Sequence, residues 1–217
     1  MTRRVGLLGG RFDPPHAGHL RLAELALEAL DLDELRLVPT AVSPHKAAED
    51  GASGEARLRL LEAFLGAAGE GLRRRFRIEP CELRRGGTSY TVDTLEALAA
   101  REPGSAWVLV LGGDQMAAFP TWRRAARILE LASLAVAPRP GFPEEDMPPE
   151  LAARLRNRWS GAPGEVLRLP STGLDAASRH LRAALARGET PQGLDPQVRA
   201  AIEREKLYRR YMEQEHE

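Results

Sequence analysis

The chain has 217 residues, 43% of them hydrophobic, with 31 basic and 31 acidic side chains and no net formal charge. That length allows one sizeable core, and neutrality excludes the bulk attraction to nucleic acid or anionic membrane that a basic chain would have, so an anion site must be built locally. The lone Cys81 excludes an intramolecular disulfide framework, and no apolar stretch has membrane-spanning length, the short run in MTRRVGLLGG included; a soluble cytoplasmic protein without nucleic-acid or membrane partners is expected.

In chain order, short apolar runs alternate with amphipathic stretches. VGLLG (5–9) predicts a strand and HLRLAELALEAL (19–30) a helix. LRLVPT (35–40) is a second strand, and the polar segment 41–54 is expected to be a mobile loop. ARLRLLEAFLGAA (56–68) has helical period, and RFRIEPCEL (75–83) reads as extended, with Cys81 as a buried small hydrophobe rather than a nucleophile. TVDTLEALAAR (91–101) predicts a helix and AWVLVLGGD (106–114) a buried strand ending in a glycine turn.

PTWRRAARILEL (120–131) is helical, with Pro120 where a first turn tolerates it. SLAVAPRPG (133–141) is a strand, the Pro-, Gly- and Arg-rich segment 143–163 resists assignment, EVLRLP (165–170) is a last strand, and helices follow over 175–187 and 195–206. This alternation predicts an α/β, Rossmann-like parallel sheet with helices on both faces. Residues 1–170 would be the nucleotide-binding core, and 171–217 a small helical C-terminal region of the same domain. Ligands are expected beyond the carboxyl ends of the strands.

The densest chemistry lies in GGRFDPPHAGH, from Gly9 to His19. Gly9 and Gly10 close the first strand and would let backbone approach a phosphate. A helix opening near Gly18 would add amides and positive partial charge. His16 and His19 are three apart at that helix start, so they can share a face and hydrogen-bond phosphoryl oxygens. A Gly-Pro turn with two surface histidines is the bland alternative.

This segment resembles the G-x-F-D-P-x-H-x-G-H signature of the nucleotidylyltransferase superfamily. SPHK (43–46), GGTSYTVDTLEAL (86–98), the run from Val108 to Gly141 and the terminal VRAAIEREKLY (198–208) fall in the order seen in bacterial nicotinate mononucleotide adenylyltransferases. The similarity runs over most of the chain. It implies ATP and nicotinate mononucleotide as substrates, deamido-NAD and pyrophosphate as products, and Mg²⁺. It also implies site roles: His16, His19 and Arg182 in catalysis; Gly9, Gly10, Arg11, Phe12, Gly18, Gly112, Asp114, Ser178 and Arg179 toward ATP. Lys46, Ser89, Tyr90, Thr91 and Trp122 would meet the mononucleotide.

Each role has a plainer rival. SYTVDTL reads equally as a helix N-cap, Trp122 as core or surface staple, Asp114 as a cap on the next helix, and Lys46 as an ordinary loop lysine. The chain also departs from its relatives. LDAASRHLRAALARG (174–188) aligns with their I-S-S-T-x-I-R segment, matching Ser178 and Arg182 but putting Ala177 and Arg179 in place of a Ser and a Thr. Arg11 likewise stands where a small hydroxylated residue is usual. Arg11 and Arg179 would then give charge-assisted contacts to the triphosphate, or else point to solvent. Rival functions are transfer to nicotinamide mononucleotide or another acceptor, and a nucleotide-binding sensor without activity. The sequence leaves a homo-oligomer open.

Overall fold

The computed structural model describes residues 2–44, 51–138, 147–174 and 177–208. The elements are β1 (Arg4–Gly10), α1 (Ala17–Ala29), β2 (Glu34–Pro39), α2 (Gly54–Ala67), α3 (Glu70–Arg75), β3 (Phe76–Ile78), α4 (Cys81–Arg85), α5 (Thr91–Arg101) and β4 (Ala106–Gly112). They continue with α6 (Gly113–Ala118), a 3₁₀ turn (Phe119–Thr121), α7 (Ala125–Leu131), β5 (Ala132–Ala137), α8 (Pro149–Ala152), β6 (Leu155–Arg156), β7 (Val166–Arg168), α9 (Ser178–Ala186) and α10 (Pro196–Arg204).

The strands form one seven-stranded sheet in the order β3-β2-β1-β4-β5-β7-β6, and every pairing is parallel. Strand side chains alternate between two apolar layers. Val5 and Leu7 of β1 and Leu109 and Leu111 of β4 face the layer covered by α5, α6 and α7. Leu8, Val108 and Val110 face the layer covered by α1, α2 and α10. Burial on both faces explains why β4 and β5 read as continuous apolar runs. Gly6 is needed for packing: a Cβ there would lie 2.6 Å from Leu32 Cδ1. The α/β expectation with helices on both faces holds, including helices after residue 171.

Three local expectations are corrected. Only Phe76–Ile78 is strand; Pro80 then caps α4, so Cys81 opens a helix rather than lying in a strand. Cys81 is half-buried against the apolar layer, and burial followed by Glu79 and Glu82 pushes its thiol up to about 11, which leaves it inert as a nucleophile. The predicted helix over 120–131 is broken, because Trp122 is extended and Arg124 adopts a left-handed backbone while its guanidinium forks onto Glu96 at 2.9 and 3.0 Å. The unassigned segment 143–163 contains α8 and β6. Among the described residues, no helix is long and apolar enough to cross a membrane.

Candidate active site

The chain runs outward through β1, β2 and β3 on one side and through β4 and β5 on the other, where β7 then inserts inside the edge strand β6, so β1 and β4 flank the switch point of the sheet. In a parallel α/β sheet the crevice beyond the strand ends at that point is where ligands bind. Both strands end there in glycine, Gly10 and Gly112, and their register (Leu7 beside Leu109) brings those ends alongside. A Cβ at Gly9 would meet nothing within 4 Å, so the space above it is open to a ligand. At Gly10 a Cβ would press on the Phe12 ring at 3.3 Å.

The turn after β1 is folded tightly on itself. Phe12 is buried with a φ of +50°, and its ring lies 4.9 Å from that of His19. The Asp13–Pro14 peptide bond is cis. His16 caps α1 in extended conformation, and its backbone N–H donates to His19 Nδ1 at 3.2 Å. An accepting Nδ1 puts the proton of neutral His19 on Nε2, which makes that atom a donor. The two imidazole rings are 3.8 Å apart, so the histidines do share a face. The helix start is less open than its sequence suggests, since the Ala17 amide donates to Gly193 O at 2.8 Å.

Distant parts of the chain hold this turn. Asp13 is fully buried and accepts from Arg11 Nε at 2.8 Å, the Ala52 amide at 3.1 Å and the Tyr208 hydroxyl at 2.7 Å. Arg182, itself buried, donates Nη1 to the Asp13 carbonyl at 2.7 Å, and Ser178 Oγ donates to the Pro14 carbonyl at 3.0 Å. Arg57 Nη1 donates to the carbonyls of Arg11 and Thr40 at 2.9 and 2.8 Å. Burial, and next Arg11, lower the Arg57 guanidinium from its ordinary value. Burial, then Asp13, raise the Tyr208 phenol far above its ordinary value, so it remains a donor.

Of the late residues expected at the site, Ser178 and Arg182 thus meet the motif. Arg179 is exposed and its Nε donates to His180 Nε2 at 3.2 Å. Lys46 lies outside the described residues. Sequence reasoning missed Asp13, Arg57 and Tyr208 as participants. The signal for Asp13 was its place inside the motif, and for Tyr208 its place in the terminal VRAAIEREKLY block.

The segment expected to take the mononucleotide lies before α5. Ser89 is buried and does not cap the helix: Tyr90 is the N-cap, and no side chain bonds the helix amides there. Instead Ser89 Oγ accepts the Ala41 amide at 3.0 Å and bonds Glu82, while the Ser89 amide donates to Val42 O at 2.8 Å. Thr91 opens the helix. The Arg123 guanidinium lies 4.6 Å over the Tyr90 ring and 3.7 Å from Asp93, which draws the residue next to Trp122 onto the start of α5. Trp122 and Tyr90 are half-buried against one apolar layer, Trp122 with its ring 5.4 Å from Phe119. Asp114 is half-buried in the first turn of α6, whose cap is Gly112, and accepts from Gln115 at 3.1 Å.

Glu82 was also missed. It is buried, accepts from Thr94 Oγ1 at 2.7 Å and from Ser89, and burial raises its carboxyl above the ordinary range against those bonds. Among the described residues, no three His, Cys, Asp or Glu side chains gather as a metal cage.

The cytidylyltransferase-like family model matches residues 7–170, a span that includes the turn but not Ser178, Arg182 or Tyr208. A probable nicotinate-nucleotide adenylyltransferase of Chromobacterium violaceum is 39% identical over 96% of this chain and 100% of its own. One from Bordetella petrii is 42% identical over 95% of this chain and 100% of its own. Among solved structures, the Plasmodium falciparum nicotinic acid mononucleotide adenylyltransferase complexed with NaAD shares the fold with a TM-score of 0.77, at 13% identity over 97% of this chain and 100% of that one.

Proposed function

Because the chain belongs to the nicotinate-nucleotide adenylyltransferase family, on a cytidylyltransferase-like fold, we propose that it transfers the adenylyl group of ATP to nicotinate mononucleotide. The products are nicotinic acid adenine dinucleotide and pyrophosphate, a step of NAD biosynthesis. The observation that carries the reading is the two-histidine turn at the switch point of the sheet, with its rings 3.8 Å apart beside open space over Gly9.

A mononucleotide phosphate has a second pKa of about 6, so near neutral pH it is already the nucleophile and needs no general base. One of its oxygens attacks the α-phosphorus of ATP, the bond from that phosphorus to the bridging oxygen breaks, and pyrophosphate leaves with the electron pair. The protein has to align the reactants and stabilise charge on the phosphoryl oxygens. In this reading His16 and the Nε2–H of His19 donate to those oxygens, beside the backbone of Gly9, Gly10, Arg11, Phe12 and Gly18. Gly112 and Asp114 hold the ATP ribose, Asp114 by accepting from its diol. Ser178, Arg179 and Arg182, from the region after residue 171, complete the triphosphate side.

Ser89, Tyr90, Thr91 and Trp122 take the pyridine ring and its carboxylate, with Lys46 on the mononucleotide phosphate. The first amides of α5 suit a carboxylate, and the aromatic pair suits a ring. Adenylyl transfer from ATP calls for a divalent cation, here Mg²⁺. With no cage of three His, Cys, Asp or Glu side chains among the described residues, the donor set fits a cation that arrives on the triphosphate and keeps water as its remaining ligands. When bound, it would offset phosphate charge.

Pyrophosphate release from ATP, measured with nicotinate mononucleotide and in parallel with nicotinamide mononucleotide, tests the proposal. The acid should give the higher kcat/KM. A higher value with the amide would reassign the acceptor, and turnover with neither would overturn the enzymatic reading.

A further inference from the structure

The Asp13 carboxylate collects a donor from its near neighbour Arg11 and donors from two stretches of chain remote in sequence, the farther of which, Tyr208, lies 195 residues away. Tyr208 is only 8% exposed, and its hydroxyl shares Asp13 Oδ1 with the Ala52 amide, while Arg11 holds Oδ2. Asp13 is followed by two prolines and then by His16, so fixing Asp13 fixes the start of α1 and the direction of both imidazoles. Prolines at 14 and 15 carry no amide hydrogen, so that stretch has few hydrogen bonds of its own to hold it. The grip comes instead from Arg182 on Asp13 O, Ser178 on Pro14 O and Tyr208 on the carboxylate, all three from the C-terminal region.

We propose that Tyr208 is a positioning residue for the two-histidine turn, and that docking of its phenol on Asp13 completes a site that residues 7–170 alone would leave loose. The mechanism is steric and directional. The O–H bond selects the Asp13 rotamer that also takes Ala52 and Arg11, and this rotamer sets the path from Phe12 to His16. Tyr208 touches no reacting atom and acts through Asp13. Its effect on turnover rests on the adenylyl-transfer reading; its effect on the rigidity of the turn does not.

Tyr208→Phe in the full chain tests this, since it removes one hydroxyl and keeps the ring in place. Hydrogen exchange of the peptide covering 11–19, measured without substrate, should speed up about tenfold or more, with peptides from β4 and β5 unchanged. With both substrates, kcat should fall about 10- to 100-fold while each KM stays within about twofold, as expected when geometry rather than affinity is lost. Ile128→Val, a conservative trim of α7 on the opposite face of the sheet, serves as the stability control. It should lower the Tm at least as far as Tyr208→Phe does and leave kcat unchanged. Unchanged exchange at 11–19, exchange raised over the whole chain, or a kcat loss matched by Ile128→Val would each overturn the proposal. If the wild-type protein turned over neither mononucleotide, the function reading would fail while the exchange experiment still decided the role of Tyr208.

Discussion

Asp13 and Glu82 are carboxylates buried just past the carboxyl ends of β1 and β3, yet they are satisfied in different ways. Asp13 has an arginine on one oxygen, an amide and a phenol on the other, and Arg182 at 3.9 Å. Glu82 has the hydroxyls of Thr94 and Ser89, and Arg85, whose charge acts on it, donates to Thr94. The first is a charged hub whose partners span residues 11 to 208. The second is a polar patch whose partners all lie between 82 and 94. Charge is held where distant segments must be locked together; hydroxyls suffice where neighbours in sequence are already close.

Removing the hub should have the largest effect. Asp13→Ala would leave Arg11 and Arg182 facing each other without their common anion, and breaking a buried pair in this way costs about 3–5 kcal/mol. Denaturant unfolding followed by tryptophan fluorescence should show that loss. A change below about 1 kcal/mol would mean that Asp13 behaves like a surface ion and that the contrast with Glu82 is empty.

His19 sharpens the same comparison by separating structure from chemistry within the turn. His19→Asn keeps an acceptor close to where Nδ1 takes the His16 amide, but supplies no donor at the Nε2 position. Stability should hold while kcat falls about 10²- to 10³-fold, the usual result of losing one aimed donor to a charged transition state. Equal losses of stability and activity would instead make the cap the function of His19.

Much of this was legible in the sequence. Continuous apolar runs announced β4 and β5, and the motif announced the turn at the switch point, because strand burial and glycine placement are local properties. The break at Arg124 was not legible, since it depends on Glu96 in another helix. Nor was the role of Tyr208, whose partner is at the other end of the chain. Glu82 was hidden by a wrong element: read in a strand over 75–83 it alternates in and out, whereas in α4 it turns toward Thr94. Pro80 was the available signal, since a proline that ends a ladder can open a helix.

Arg11 was expected to serve the triphosphate, and here its Nε is bound to Asp13. Arg11→Thr should therefore cost about 1.5–3 kcal/mol of stability, the scale of one hydrogen bond to a charged group. The KM for ATP should rise by no more than about threefold. A tenfold or greater rise at unchanged stability would move Arg11 from the hub to the substrate.

The smallest effect is expected at Glu82, and its sign is the informative part. Burial raises the folded-state pKa of Glu82 above the ordinary 4.5, so the fold prefers the protonated carboxyl. Its favourable contribution is fully present below the unfolded pKa and is lost as pH rises through the raised folded value; above that value the buried charge is a cost. Glu82→Gln keeps an acceptor for Thr94 and Ser89 without any charge. At pH 7 the variant should match or exceed the wild type by no more than about 1 kcal/mol, and the difference should shift toward the wild type as the pH is lowered through the titration of Glu82. Unfolding curves of both proteins between pH 4 and 8 would show this crossover. A variant clearly weaker at pH 7 and closest to the wild type at pH 4 would mean that the fold prefers Glu82 as an anion, and the contrast drawn from its burial would then be lost.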